Sequence, residues 1–473
     1  MFIGRKEELL ELESRINSQK FEMIPLYGRR RVGKTRLLEE FSTNKRTIFF
    51  TADQFGETSN LENLSQAITS AFSPEMESMV FPDFQTAFEA IAKHAESNPD
   101  SLLFIIDEYP YLAKAVKGIS SLLQKIIDKK YLKLNNLMLI LTGSQISFME
   151  KQVLGYESPL YGRRTGQIKL MPLTLQEAHL FLPHIPNEDF LSIYGITGGI
   201  PLYLSMLDDH MTCKENIIKH VLQKNSFLYE EPGNLLMQEL RTPNKYNDII
   251  AAIASGSSEM KDIIGTTGIE SGVLTKYLNT LIDLNIVEKK IPLTKIGKKK
   301  PLYVVSDGLF RFWYRYVPKY KNFIETNKTN LIWEKIEADL PDFTAIEFEH
   351  FCRNWIYQQN GTKELPFLIS EVGSWWGNNP INHKPTNLAE EIDIIGIGVE
   401  KNNLLIGECK WKNKDTDVDI AQKLMERSNF FPYPNKLLVI FSKSKFTKKL
   451  QHYAIKNNIQ LISYHKMLER GNR

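Results

Sequence analysis

The feature that most constrains this chain is the run Tyr27-Gly28-Arg29-Arg30-Arg31-Val32-Gly33-Lys34-Thr35, preceded by the apolar stretch Met23 to Tyr27. It fits G-x-x-x-x-G-K-[ST] in the strand-loop-helix context that this pattern requires. Glycines at both ends let successive backbone N–H groups converge on phosphate oxygens at the start of a helix. Lys34 then reaches the β and γ phosphates, and Thr35 offers its hydroxyl to Mg²⁺. A chain carrying this loop is expected to be α/β, with a parallel sheet behind the loop, and to bind a nucleoside triphosphate such as ATP.

A second apolar run, Ser101 to Ile106, ends in Asp107-Glu108. It reads as a buried parallel strand delivering two carboxylates, Asp107 toward Mg²⁺ and Glu108 toward the attacking water. A third, Leu137 to Leu141, leads into Thr142-Gly143-Ser144. If that strand neighbours the Asp107 strand, Thr142 and Ser144 sit beside the γ phosphate.

Taken in order, Phe2-Ile3-Gly4-Arg5-Lys6-Glu7, the phosphate loop, Ile106-Asp107-Glu108-Tyr109-Pro110, Leu141-Thr142-Gly143-Ser144 and Gly198-Gly199-Ile200-Pro201 resemble the archaeal-type AAA+ ATPases over the first two hundred or so residues. The resemblance implies that Gly4-Arg5 lies near the adenine, that Thr142 to Ser144 sense the γ phosphate, and that Gly199-Ile200-Pro201 begin a helical lid. It also extends to Pro159 to Arg164, so that Arg163 or Arg164 is a candidate cation for a γ phosphate, in the same subunit or in a neighbour of a homo-oligomer.

Composition adds limits. The chain's 473 residues, 42% of them hydrophobic, suffice for about three domains with packed cores. The 59 basic and 56 acidic residues leave a net charge of +3, so any nucleic-acid affinity must come from local patches. Three scattered cysteines argue against a disulfide framework and for a reducing cytoplasm, and no run is long enough for a membrane span.

Beyond the lid, residues 245–307 read as helices followed by a hairpin, the outline of a winged helix. Apolar residues repeat at helical spacing at Tyr246, Ile249, Ile250 and Ile253, and again at Leu274, Tyr277, Leu278 and Leu281. A wing with Lys295, Lys298, Lys299 and Lys300 either pairs with DNA phosphates or solvates a loop tip. The stretch from Asp307 to Val317 alternates aromatics with arginines and reads more as a core helix than as a base-stacking surface.

The C-terminal third holds another pattern. Glu391 to Gly396 and Leu404 to Trp411 read as consecutive strands, in which Glu408 and Lys410 share a face and Asp393 approaches from the side. Two carboxylates and an ammonium at one point can bind Mg²⁺ and stabilise charge on a phosphodiester. Residues 340–465 look like the PD-(D/E)XK nuclease fold. The likeness implies Asp393 and Glu408 as metal ligands, Glu349 as an accessory ligand and Lys410 as the catalytic lysine.

The expected organisation is an ATPase core over 1–180, a helical lid over 181–240, a winged helix over 241–320 and a nuclease-like domain over 321–473. The function it suggests is a cytoplasmic ATPase that couples nucleotide state to DNA binding or Mg²⁺-dependent DNA cleavage. The alternatives are a nucleotide-switched scaffold whose C-terminal domain does not cut, and an ATP-dependent remodeller.

Overall fold

The computed structural model describes residues 2–72, 79–240, 242–294, 296, 300–381 and 390–470. The chain forms two compact units: residues 1–181 with 199–205, and residues 182–198 with 206–473.

The first unit is built on a five-stranded parallel sheet of order β2-β3-β4-β1-β5. Its strands are β1 (Glu22–Tyr27), β2 (Arg46–Thr51), β3 (Leu102–Asp107), β4 (Leu137–Gly143) and β5 (Ile168–Lys169). The continuous apolar runs follow from burial on both faces. Phe104, Ile106, Leu139 and Leu141 enter one core, while Leu103, Ile105, Met138 and Ile140 enter the other.

Pro25 stands inside β1, where proline removes a ladder donor. The carbonyls of Met23 and Tyr27, two residues to either side, accept from Thr165 and Leu170 at 3.0 and 2.7 Å, so Pro25 faces the same flank. Strand β5 is only two residues long there and pairs with Leu26 and Tyr27. The missing N–H therefore falls where the ladder is already short.

In the second unit, helices Pro243–Ala254, Met260–Thr267 and Ser271–Asp283 share one core with an antiparallel hairpin of β6 (Val287–Lys290) and β7 (Leu302–Val305). The two apolar stripes meet there through Ile249, Ile250, Ile253, Leu274, Leu278 and Leu281, with Tyr246 and Tyr277 edge to face at 4.7 Å. Asp307 caps the helix Gly308–Glu325 by accepting from the Phe310 amide at 2.9 Å. That helix buries Leu309, Phe310, Phe312 and Tyr316. Its arginines turn to acids, Arg311 to Glu347 at 3.5 Å and Arg315 to Asp339 at 2.6 Å, so the aromatic-arginine stretch is core.

The C-terminal sheet has the order β12-β11-β10-β9-β8. Strands β8 (Ile369–Gly377), β9 (Glu390–Gly398) and β10 (Asn403–Lys410) are antiparallel, and β11 (Asn435–Ser442) and β12 (Ile459–Ser463) continue parallel to β10. Helices Trp333–Gln358 and Val418–Ser428 pack against it. Among the described residues, no helix is long and apolar enough to cross a membrane.

Candidate functional site

Because β4 lies between β1 and β3, three strand ends converge at one edge of the first sheet: the phosphate loop after β1, Asp107-Glu108 after β3 and Thr142 to Ser144 after β4. Glycine is required at both ends of the loop. A Cβ on Gly28 would collide with the Leu170 carbonyl, and Gly33 has φ 90°. Arg31 is held at φ 69°, and burial lowers the pKa of its guanidinium, with Arg30 and Arg29 adding to the effect. Arg30 donates to the Tyr111 hydroxyl at 2.6 Å, and Val32 is wholly buried.

Lys34, 5% exposed, donates to the carbonyls of Gly28 and Arg29 at 3.1 and 3.2 Å and to Ser144 Oγ at 2.8 Å. Thr35 Oγ1 donates to Asp107 Oδ2 at 2.8 Å, and Thr142 Oγ1 donates to Asp107 Oδ1. Ser144 Oγ donates to Glu108 Oε1 at 2.6 Å. A hydroxyl against a buried carboxylate is the donor set that suits Mg²⁺, so Thr35 and Asp107 fit that ion.

Two residues that hold Arg5 in place, Thr174 and Glu177, were not singled out from sequence. Arg5 is buried, donates to the Val32 carbonyl at 3.1 Å and receives its own position from Glu177, whose Oε1 accepts the Arg5 amide at 3.0 Å. Thr174 and Glu177 form a capping box, a signal that was readable as T-x-x-E. Pro201 lies beside Gly33, and the Leu173 amide donates to the Gly199 carbonyl at 2.9 Å, which brings Gly199 to Pro201 to the loop.

Arg163 and Arg164 are not brought to the loop of their own chain. Thr165, the next residue, bonds to Met23 at the opposite end of β1. Five residues at ~3.3 Å each put that point about 17 Å from Gly28, although the Arg164 charge is felt at the Tyr27 phenol. Arg163 instead chelates Asp128 at 3.0 and 3.1 Å, and Arg164 donates to Gln167 at 2.7 Å.

The second cluster assembles where β9 and β10 pair. Asp393 Oδ2 accepts the Cys409 amide at 2.8 Å, and Lys410 Nζ lies 2.7 Å from Glu408 Oε1 and 3.9 Å from Asp393 Oδ2. Arg427, from the helix Val418–Ser428, donates to Glu408 Oε2 at 3.2 Å and to Glu390 at 3.0 Å. Glu349 pairs with Arg353 at 3.5 Å, and Arg353 also donates to the Asp393 carbonyl at 3.1 Å.

Burial, then Glu408 and Glu349, push the Asp393 carboxyl up to about 8. Burial works against the Lys410 ammonium, but Glu408 and Asp393 outweigh it and hold its pKa above the ordinary value. Arg427 and Arg353 carried no sequence signal, because helix and strand meet only in the fold. Among the described residues, no group of three or more His, Cys, Asp or Glu side chains is disposed to hold a metal ion. Glu349, Asp393 and Glu408 are instead balanced by Arg353, Lys410 and Arg427.

The hairpin loop is also engaged. The Leu293 amide donates to the Ser374 carbonyl of β8 at 3.1 Å, and the buried Trp375 indole donates to the Ile296 carbonyl at 2.8 Å. Lys295, Lys298 and Lys299 lie outside the described residues, and Lys300 is exposed, 3.9 Å from Glu259.

The fold and the phosphate-loop site define a P-loop ATPase. A family profile described as an ATPase domain predominantly from Archaea matches residues 2–207. A second, described as archaeal and bacterial proteins of unknown function, matches residues 313–422. The solved Walker-type ATPase PABY2304 of Pyrococcus abyssi aligns with a TM-score of 0.51 at 21% identity, covering 66% of this chain and 96% of that one. The chain belongs to the same family as the uncharacterized protein MJECL04 of Methanocaldococcus jannaschii, with which it is 33% identical over 420 residues, 88% of this chain and 89% of the relative. The uncharacterized ATP-binding protein MJ0423 of the same organism is 56% identical over 46 residues, 10% of this chain and 78% of that protein.

Proposed function

We propose that this ATPase couples its nucleotide state to the binding and Mg²⁺-dependent cutting of DNA, with the C-terminal sheet as the nuclease-like part and the three helices with their hairpin as a winged helix. The observation that carries the reading is the meeting of Asp393, Glu408 and Lys410 at one point of two adjacent strands. In the ATPase, Mg²⁺ would be held by Thr35 and Asp107, with Glu108 orienting the attacking water. In the C-terminal part, Asp393 and Glu408 would hold the ion, which supplies Lewis-acid activation of a phosphodiester. Lys410 would stabilise the charge that develops there, and Glu349 would have to leave its pair with Arg353, at 3.5 Å, to assist as a further ligand. Arg163 and Arg164 would act on the nucleotide of a neighbouring copy.

A second reading is a nucleotide-switched scaffold whose C-terminal part recognises a partner without cutting. It is favoured by the two-sided clamp on Glu408 from Lys410 and Arg427, because buried carboxylates balanced this way are stable without a metal. The test is cleavage of linear and circular duplex and single-stranded DNA, with Mg²⁺ or Mn²⁺, with and without ATP. Cleavage by the wild type that is lost in both Asp393→Ala and Lys410→Ala is the expected result. No cleavage of any substrate while ATP is still hydrolysed overturns it in favour of the scaffold.

A further inference from the structure

We propose that the two loops that extend β10 and β11, residues 411–417 and 443–447, with the start of the following helix Lys448–Lys456, form a platform that binds the phosphodiester backbone of nucleic acid. This rests on the DNA reading above and assigns its contact surface to the C-terminal sheet rather than to the hairpin.

The two loops are locked to each other. The Lys443 amide donates to the Lys410 carbonyl at 2.9 Å, the Thr416 amide to the Lys445 carbonyl at 2.9 Å and the Thr447 amide to the Thr416 carbonyl at 3.0 Å. Ser444 Oγ donates to the Lys412 carbonyl, and the Thr416 and Ser442 hydroxyls bond at 2.7 Å. The backbone is thus fixed before any ligand arrives, which lowers the ordering cost of binding.

Charge is concentrated on this frame. Residues 411–419 and 443–449 hold six lysines against three aspartates, an excess equal to the net +3 of the whole chain. Lys412, Lys414, Lys445, Lys448 and Lys449 are exposed. Lys443 is committed inward, to Asn413 at 2.8 Å and Glu188 at 3.1 Å. Asp417 is half-buried, accepts from Thr447 Oγ1 at 2.7 Å and the Val418 amide at 2.8 Å, and lies close enough to Lys449 and Lys414 for their charges to help lower its pKa. Five exposed ammonium groups thus stand against the exposed Asp415 and Asp419 and the half-buried Asp417.

The position matters as much as the charge. Lys412 is two residues beyond Lys410, and Ser442, the residue before Lys443, is paired with Lys410 in register. A backbone lying over these lysines passes the Asp393, Glu408 and Lys410 cluster. An extended polyanion with regularly spaced phosphates matches five lysines spread over two paired loops and a helix start, whereas the hairpin loop is tied to β8 through Leu293 and Ile296.

The test measures anisotropy of a fluorescein-labelled 20-base-pair duplex, and of a single strand, with the full chain between about 50 and 200 mM salt. The wild type is compared with the quadruple variant Lys412→Gln, Lys414→Gln, Lys445→Gln, Lys449→Gln and with Lys300→Gln in the hairpin. Each phosphate contact contributes about 0.9 to the slope of log K against log salt on duplex DNA. The quadruple variant is expected to lose about 2–4 units of slope and at least about tenfold in affinity at 50 mM, with DNA-independent ATP turnover unchanged. Lys300→Gln is expected to lose no more than about one unit.

A wild-type slope in the quadruple variant overturns the platform and leaves the DNA reading standing. Absence of wild-type binding to either DNA at the lowest salt overturns both. Binding of polyglutamate as tight as that of the duplex overturns the platform in favour of an acidic protein partner.

Discussion

Replacing Lys34 by alanine should weaken ATP binding by about 30–150-fold while leaving the fold intact. The gross attraction between an ammonium and one phosphate charge at ~4 Å is about 4 kcal/mol at an effective dielectric of ~20. The lysine is not free, since Nζ donates to the Gly28 and Arg29 carbonyls and to Ser144 Oγ. Exchanging one or two of those bonds for phosphate oxygens offsets about 1–2 kcal/mol, at roughly 1 kcal/mol net each. The remaining 2–3 kcal/mol, at about 1.4 kcal/mol per decade, gives the stated factor. Calorimetric titration with ATP reads it directly. Thermal unfolding gives a second reading: ATP at about 100 times the wild-type Kd stabilises the wild type by ~2.7 kcal/mol, and the variant at the same concentration by ~0.3–0.9 kcal/mol. A natively folded variant whose Kd lies within about threefold of wild type would refute the assignment of Lys34 to the phosphates.

Glu108→Gln should bind ATP as the wild type does and lose ~10²-fold or more in turnover, because the amide keeps the Ser144 contact but cannot act on water; an unchanged turnover rate in a phosphate-release assay removes Glu108 from that role. Asp339 is held below its ordinary pKa of 3.8 by the Arg315 fork, with Tyr316 assisting against burial. Since the depressed group is charged in the folded state at pH values where the unfolded chain has begun to protonate, its contribution is complete above about 4 and lost as pH falls below it. Urea denaturation between pH 6 and 3 should therefore show a smaller acid-side loss in Asp339→Asn than in the wild type, and equal losses would exclude this pair as a source of acid sensitivity.

Much of the ATPase was legible because its determinants are local. A glycine-bracketed loop, a lysine and a hydroxyl within nine residues encode both a backbone path and a charge pattern. The apolar runs before Asp107 and Thr142 encode strands buried on both faces. The cluster in the C-terminal sheet was legible for a related reason: alternation along β10 places Glu408 and Lys410 together, and the short turn from Gly398 to Asn403 makes β9 its neighbour.

Nothing local states which strands lie side by side when the connections are long. The order β2-β3-β4-β1-β5 decides that Thr142 bonds to Asp107 and that Ser144 holds Glu108, while the parallel run from Thr165 to Leu170 along β1 decides that Arg163 and Arg164 end at the far side of the sheet. Contacts of high sequence separation were equally hidden: Arg427 on Glu408, Arg353 on Asp393 and Trp375 on Ile296 each join elements whose approach depends on packing the whole core. By itself, then, the sequence determined the chemistry of the loop, the buried strands and the two carboxylate pairs, because each is written in neighbouring residues through steric and alternation rules. Tertiary structure alone decided their partners, since a side chain's neighbours across a sheet or between helices are set by how the apolar faces are covered, which no short stretch of chain specifies.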